Sequence, residues 1–229
     1  MANTIDTMLP EVILRKIIDG SFSGEFEDDT ITSLGPYRLA NLSQVTTVRL
    51  NNLTTTTGHS NFVGNTNMEW LFIPKLKTMG AGAYDSFAGS NVLEYLAFPS
   101  LSRATLLAAF LNKLPALEAV DFGPSLTGLG NANYVLGNNS NYQIIIFRRT
   151  SVVSMLNSNC FASSRFKSGG AGGTIYIPKV LYDELGTGSS LDYKSATNWS
   201  IYDGYGTITW AQIEGSYYET HYADGTEIL

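Results

Sequence analysis

Residues 70–99 read WLFIPKLKTMGAGAYDSFAGSNVLEYLAFP, and this stretch begins and ends with two versions of one short apolar run. The run WLFIP at residues 70–74 returns as YLAFP at residues 95–99. Short apolar runs rich in β-branched and aromatic side chains are typical of buried strands. Further runs of this kind lie at residues 47–50, 119–122, 144–147 and 174–178. Their recurrence predicts a repeat protein.

Three apolar positions keep their register from one repeat to the next. The members are Leu50, Ile73, Phe98, Phe122, Phe147 and Ile177 in the first ladder, Leu39, Phe62, Phe87, Phe110, Val135 and Phe161 in the second, and Leu53, Leu76, Leu101, Leu126 and Val152 in the third. The first ladder is spaced by 23, 25, 24 and 25 residues, then by 30 across the glycine-rich segment 169–173. A period in the twenties predicts a solenoid, because such a unit buries its apolar face only against its neighbours.

We therefore predict a mostly β, or mixed α/β, solenoid with one parallel strand per repeat. The expected strands lie near residues 46–50, 70–74, 94–98, 118–122, 143–147 and 174–178. The returning segments are rich in Gly, Asn and Ser, which favours short helical turns over long helices. Phe87 and Phe110 occupy the same ladder position in adjacent repeats, so both should be almost fully buried.

One repeat is similar to a known repeat family. Leu76–Met79, Ser86–Ser90 and Leu93–Pro99 follow one another in the chain. In that order they resemble the BspA-like leucine-rich-repeat unit, L-x-x-I-G-x-x-A-F-x-G-C-x-x-L-x-x-V-x-L-P. The resemblance covers about residues 31–178. It implies a right-handed leucine-rich-repeat array of a gut-bacterial or phage-encoded kind.

The repeats also depart from that family. Asn65, Ser90 and Asn112 stand where the family carries Cys, and the Ala before Phe is often replaced. Residues 175–199 resemble the usual terminal cap of these arrays. The departures leave the solenoid prediction intact, since that prediction rests on the ladders.

The two ends differ in composition from the repeats between them. We divide the chain into an N-terminal helical cap or anchor at 1–30, the solenoid at 31–180, and a C-terminal cap with a Tyr-rich tail at 181–229. Residues 8–19 carry an apolar face, with Pro10 near the start and Gly20 past the end, which predicts a helix. That helix either closes the first repeat or docks on another subunit.

The tail is predicted to form a small β-rich cap. Residues 207–210 and 216–218 are candidate strands of a hairpin, and Asp224-Gly225 is a turn signal. We expect this tail to pack on the last repeat or on a partner.

Composition excludes several classes of function. The net charge is −6 and charged residues make up 15% of the chain, well below the roughly 25% of an ordinary globular protein. An acidic, Lys/Arg-poor chain does not favour nucleic acid or anionic lipid as a ligand. No window approaches the roughly 18 apolar residues of a membrane span, so we expect no membrane insertion, and residues 1–6 show no features of a signal peptide.

The residues that carry chemistry are few and scattered. His59 and His221 lie outside any nucleophile or metal-ligand motif, and Cys160, the one cysteine, reads as a small buried hydrophobe. We expect acid pairs such as Asp28-Asp29 and Asp224 with Glu227 to be solvated. We therefore expect a protein that is not an enzyme, with no catalytic residue, no metal and no cofactor.

The outward face of the predicted sheet points to binding. Side chains alternate between the two faces of a strand, so the outward positions should be polar if they met water. Instead they include six apolar or aromatic side chains: Trp70, Phe72, Tyr95, Ile144, Ile146 and Tyr176. Three explanations stay open: cover by the chain's own tail, contact with another chain, identical or not, or a carbohydrate-stacking platform. The isoleucine pair argues against sugar as the only ligand.

Family resemblance implies adhesion and surface recognition. The hypothesis is a non-enzymatic recognition or assembly protein, most simply a phage virion component such as a fibre, decoration or receptor-binding subunit. The alternative is a bacterial cell-surface leucine-rich-repeat adhesin, which would normally carry a signal and a wall anchor. Expected partners are other protein chains, including a second copy in a homo-oligomer, and possible glycans, with the protein in the virion or outside the cell.

Overall fold

A computed structural model describes residues 24–57, 60–79, 87–102, 111, 113–129, 137 and 142–228. These residues form a mostly β solenoid whose strands lie parallel to one another. The strands are β1 (Gly24–Glu27), β2 (Ser33–Leu34), β3 (Val45–Arg49), β4 (Thr55–Thr56), β5 (Trp70–Phe72), β6 (Thr78–Met79), β7 (Tyr95–Phe98), β8 (Ala119–Phe122), β9 (Gly128–Leu129), β10 (Ile144–Phe147), β11 (Ser154–Met155), β12 (Gly173–Ile177) and β13 (Ile208–Gln212). The predicted helix at 8–19 lies outside the described residues.

The longer strands form two parallel sheets that follow one another along the solenoid. One has the order β1-β3-β5, and the other has the order β13-β12-β10-β8-β7. The six strands predicted from the sequence are confirmed within two residues of their expected bounds, as β3, β5, β7, β8, β10 and β12. Neighbouring strands keep the register of the repeat, since Ile145 pairs with Val120 on one side and Ile175 on the other.

A second set of very short strands lies on the returning side of the repeats. It comprises the sheet β2-β4-β6 and the pair β9-β11, both parallel. The hydroxyls of Ser102, Thr127 and Ser154 each donate to a backbone carbonyl of the preceding repeat at 3.0–3.1 Å. The prediction of one strand per repeat missed this sheet, because a two-residue strand is too short to show alternation.

The core lies between the two sets of strands and is filled by the ladders. Every member of the first ladder is buried, and its Phe98, Phe122 and Phe147 rings stack at centroid distances of 5.7 and 5.6 Å. Phe87 is fully buried and stacks on Phe62 at 5.3 Å, which confirms the prediction for Phe87. Phe110 lies outside the described residues. Offset aromatic pairs of this kind stabilise the stacking of repeats beyond their burial alone.

Asn65 links two neighbouring repeats through its side-chain amide. Its side chain is buried, and its amide nitrogen donates to the carbonyl oxygen of Leu39 at 2.8 Å. Its amide oxygen accepts from the backbone N–H of Leu42, also at 2.8 Å. One side chain thus satisfies two buried backbone groups of the preceding repeat, which would otherwise destabilise the fold.

The C-terminal region closes the core with aromatic side chains. It contains α1 (Lys179–Tyr182), α2 (Trp199–Asp203), β13 and a 3-10 helix at Tyr217–Glu219, so it is more helical than the expected β-rich cap. Trp199 is fully buried against Phe147 and donates from Nε1 to the carbonyl oxygen of Val153 at 2.7 Å. These contacts attach the region to the last repeats.

The predicted hairpin between residues 207–210 and 216–218 is wrong, whereas the predicted turn at Asp224-Gly225 is confirmed. β13 pairs in parallel with β12 and so continues the main sheet. The residues expected to pair with it begin the 3-10 helix instead. A reversal does occur at Asp224-Gly225, where His221 and Glu227 form an antiparallel bridge. The sequence could not distinguish a returning hairpin strand from one more repeat strand, because both look alike locally.

Candidate functional site

Outward side chains of the main strands form two rows across the repeats. One row contains Glu25, Thr47, Trp70, Tyr95, Ala119, Ile144 and Thr174, and the other contains Glu27, Arg49, Phe72, Ala97, Asp121, Ile146 and Tyr176. The six residues singled out from the sequence lie in these rows, and we call them the outward stripe. Ile144, Ile146 and Tyr176 lie beside the tail, and we call them the covered half. Trp70, Phe72 and Tyr95 form the open half, in which Trp70 is exposed, Phe72 is half-buried, and Tyr95 is half-buried with one side packed against the covered half.

The chain's own tail lies over the covered half. We define the tail as residues 213–228, which follow β13 directly. Ile146 is fully buried in a small cluster with Ile213 and Ala223. Tyr176 packs edge to face against Tyr218 with ring centroids 4.8 Å apart. The possibility of cover by the tail is therefore realised for this half, and Ile146 is removed from any binding surface.

A buried ion pair fastens the tail to the sheet. The Arg148 guanidinium bonds both carboxylate oxygens of Asp121, with its shortest contact at 2.6 Å from Nη2 to Oδ2. The same guanidinium donates to the tail carbonyls of Tyr218 at 2.6 Å and His221 at 2.7 Å. The backbone N–H of Ala223 donates back to Asp121 at 3.1 Å. Charge-assisted bonds of this kind are the strong ones.

Burial decides the protonation behaviour of this pair. Burial raises the pKa of Asp121 to about 6, although its hydrogen bonds to Arg148 and to the Ala223 N–H pull in the opposite direction. Desolvation therefore outweighs the hydrogen bonds and the positive charge. The carboxyl holds the tail in place rather than standing in a cleft where it could act on a substrate.

The open half meets solvent. Trp70 is 38% exposed and its ring lies beside those of Phe72 and Tyr95, at centroid distances of 6.3 and 6.5 Å. The Arg49 guanidinium lies over the Phe72 ring, 3.9 Å from its centroid, and pairs with Glu25. An exposed row of aromatic side chains on a sheet is typical of an interaction surface.

Two depressions border the open half. A groove of about 410 Å³ separates it from the end of the tail, and its walls include Arg49, Asn51, Phe72, Tyr222, Asp224 and Glu227. A hollow of about 190 Å³ lies on the other side of Trp70, between Glu69, Val92, Glu94 and Tyr95. Both depressions combine aromatic walls with carboxylates.

A row of glutamates runs along the edge of the open half. Glu69, Glu94 and Glu118 each precede a main strand and are exposed. The Tyr95 hydroxyl donates to Glu118 at 3.2 Å. The pKa of Tyr95 is raised, first by partial burial and then by the neighbouring Glu118 and Glu94 charges. These glutamates were not predicted as site residues from the sequence, although their spacing of 25 and 24 residues repeats that of the first ladder.

The remaining candidate residues lie away from this surface. His221 stacks on Tyr217 within the tail at 4.5 Å, while His59 lies outside the described residues. Cys160 is buried, and burial raises the pKa of its thiol to about 11. In the part of the chain that the structure describes, no three His, Cys, Asp or Glu side chains converge as a metal site requires, and no helix has the length and apolar character to cross a bilayer.

In comparisons with known proteins, no family model matches this chain and no curated protein is significantly similar to it in sequence.

Proposed function

We propose that this chain is a non-enzymatic recognition and assembly protein that binds another protein chain through its open half. The observation that carries the proposal is the contrast within one sheet face. The tail buries Ile146 completely, whereas Trp70, in the same stripe, stays 38% exposed. Trp and Tyr are among the residue types most enriched at interface hot spots.

The proposal also covers the repeat class and the handedness of the solenoid. We propose a right-handed leucine-rich-repeat array, supported by the period of 23 to 25 residues and the parallel strands, and a helical N-terminal cap, supported by the apolar face of residues 8–19. Such arrays offer an extended surface for binding, because each repeat contributes equivalent positions. The resemblance to BspA-like repeats then favours a virion component of a phage, with a bacterial surface adhesin as the alternative.

Its partner is a protein chain, and a second copy of this chain is the first one to test. The open half is poorly suited to bind a sugar as its only ligand, because Arg49 already lies over one face of the Phe72 ring. Trp70 and Tyr95 remain as contact residues.

The test is the double substitution Trp70→Glu with Phe72→Glu, followed by measurement of the mass in solution. We expect the wild-type protein to associate and the variant to fold as a monomer, because two buried charges at an interface oppose association. The matched control is Leu156→Glu with Ile201→Glu, which places the same charges at exposed apolar positions elsewhere.

One outcome contradicts the proposal, and a second one identifies the kind of partner. A folded Trp70/Phe72 variant that assembles like wild type shows that the open half is not the interface. A wild-type chain that stays monomeric at high concentration removes the homo-oligomer and leaves only a different chain as the partner.

A further inference from the structure

We propose that the open half binds a basic, extended segment of its partner, with a lysine or arginine side chain lying over the Trp70 ring between Glu69 and Glu94. The inference rests on the proposed function and specifies the chemistry of the partner. It follows from a pattern that the outward face repeats three times, twice in complete form and once incomplete.

The first complete instance lies at the N-terminal end of the face. The Arg49 guanidinium is 3.9 Å from the centroid of the Phe72 ring and pairs with the Glu25 carboxylate. Aromatic ring, cation and carboxylate thus form one unit. A cation over a ring is attracted by the negative face of the ring, and the adjacent carboxylate adds a direct ion pair.

The second complete instance fastens the tail. The Arg148 guanidinium is 4.8 Å from the centroid of the Tyr222 ring and pairs with Asp121. This unit joins two parts of the chain that are far apart in sequence, so the same chemistry already holds a separate segment on this face.

The third instance lacks its cation. Trp70 and Tyr95 form the aromatic part, and Glu69 and Glu94 stand at the rim of the hollow between them. Among the described residues, no lysine or arginine pairs with Glu69, Glu94 or Glu118, and no cation lies over the Trp70 ring. The hollow of about 190 Å³ is left where a side chain of the partner would enter.

The charge around the open half favours a positive partner. Its surroundings hold seven carboxylates, namely Glu25, Glu27, Glu69, Glu94, Glu118, Asp224 and Glu227, against two nearby cations, Arg49, which is already paired with Glu25, and Lys75, which bonds Asn52. Strands in a sheet lie about 4.8 Å apart, so Glu94 and Glu118, which precede the adjacent strands β7 and β8, repel each other. A basic segment relieves that repulsion on binding.

The same charge argues against other occupants. Symmetric pairing of two open halves would bring fourteen carboxylates together, so a second copy would have to present a different, basic surface, in a head-to-tail contact. A neutral glycan could stack on Trp70 but would leave the carboxylates uncompensated. Electrostatic complementarity of this kind governs specificity and the rate of association.

The experiment measures binding of a fluorescent eight-residue peptide of alternating arginine and glycine to the full chain, by anisotropy. An alternating glutamate and glycine peptide is the matched probe of opposite charge. We expect binding of the arginine peptide only, with an affinity that falls as salt is raised from about 50 to 300 mM. The glutamate peptide should not bind.

Two variants locate the site. Glu69→Gln with Glu94→Gln should weaken binding of the arginine peptide at least tenfold, and so should Trp70→Ala. The control Asp183→Asn with Glu184→Gln removes the same charge from the region of α1 and should bind like wild type. Equal binding by the glutamine variant, or equal loss in the control, overturns the proposal, because the attraction would then be a property of the net charge.

The peptide-binding experiment can fail independently of the assembly experiment that tests the proposed function. Wild type that does not bind the arginine peptide, with assembly still abolished by Trp70→Glu and Phe72→Glu, overturns the basic partner and leaves the open half as an interface. Tighter binding of a neutral probe such as maltohexaose than of the arginine peptide overturns it in favour of a glycan. Loss of peptide binding in both glutamine and Trp70 variants supports it.

Discussion

The covered and open halves of the outward stripe occupy equivalent positions in different repeats of the solenoid, yet they meet different surroundings. Ile146 and Phe72 lie in one row, three strands of the main series apart, and only Ile146 is fully buried beneath the tail. The covered half contains two isoleucines and Tyr176 and is closed by a buried ion pair. The open half is aromatic and is bordered by carboxylates.

This difference shows that outward apolar residues are not by themselves evidence of a partner. In the covered half Ile146 is a core residue of a small second cluster, because the tail completes its burial, and Ile144 and Tyr176 pack against that cluster. In the open half the turn at Asp224-Gly225 borders a depression beside Trp70 but leaves Trp70 exposed, and aromatic side chains with polar neighbours remain. Side chains of that type tolerate water when free and contribute strongly when an interface covers them.

The largest expected effect distinguishes Arg148, which fastens the tail beside the covered half, from Arg49, which borders the open half. Arg148→Met leaves the Asp121 carboxylate buried and unpaired, and should lower the free energy of unfolding by about 3–5 kcal/mol. Arg49→Met removes an exposed pair with Glu25 and should change it by only about 0–1 kcal/mol. Denaturant unfolding of both variants gives the two values.

Limited proteolysis shows where the loss in the Arg148 variant occurs. We expect cleavage between residues 213 and 228 to become faster in Arg148→Met and to stay unchanged in Arg49→Met. Equal losses of stability in the two variants would contradict this prediction. They would mean that the ion pair of Arg49 contributes as much to stability as the buried ion pair of Arg148.

The strands and the core could be predicted from the sequence because they rest on periodicity. The first ladder fixed which side chains point inward, and each of its members is buried. The contact between Asp121 and Ala223 joins residues 102 positions apart, and no local pattern encodes it. The division of the stripe into two halves therefore could not be read from the sequence.

Two signals in the sequence did bear on the site. Asp121 is the one acidic residue at an outward position of strands β7 to β12, and a lone acid among apolar neighbours indicates a buried partner. The recurrence of Glu69, Glu94 and Glu118 in step with the repeat was equally visible. Neither signal identifies what lies opposite, because that depends on where the tail runs.

A smaller difference in the free energy of unfolding is expected when one side chain from each half is truncated. Ile146→Ala should lower the free energy of unfolding by about 2–4 kcal/mol, because it leaves a cavity under the tail. Trp70→Ala removes a much larger side chain but leaves no enclosed space, so we expect a loss below about 1 kcal/mol. Denaturant unfolding tests this order. A larger loss for Trp70 would mean that the open half is part of the packed structure rather than a free surface.

The smallest effect is the pH dependence of the covered half. Burial raises the pKa of Asp121 to about 6, above the roughly 3.9 of an unfolded chain. A raised pKa contributes stability that is complete below pH ~4 and is lost as the pH rises through about 6. Asp121→Asn removes this titration, so the stability of wild type relative to that variant should increase by about 1 kcal/mol from pH 7 to pH 5. A decrease instead would mean that Arg148 and the Ala223 N–H keep the carboxyl ionised despite its burial.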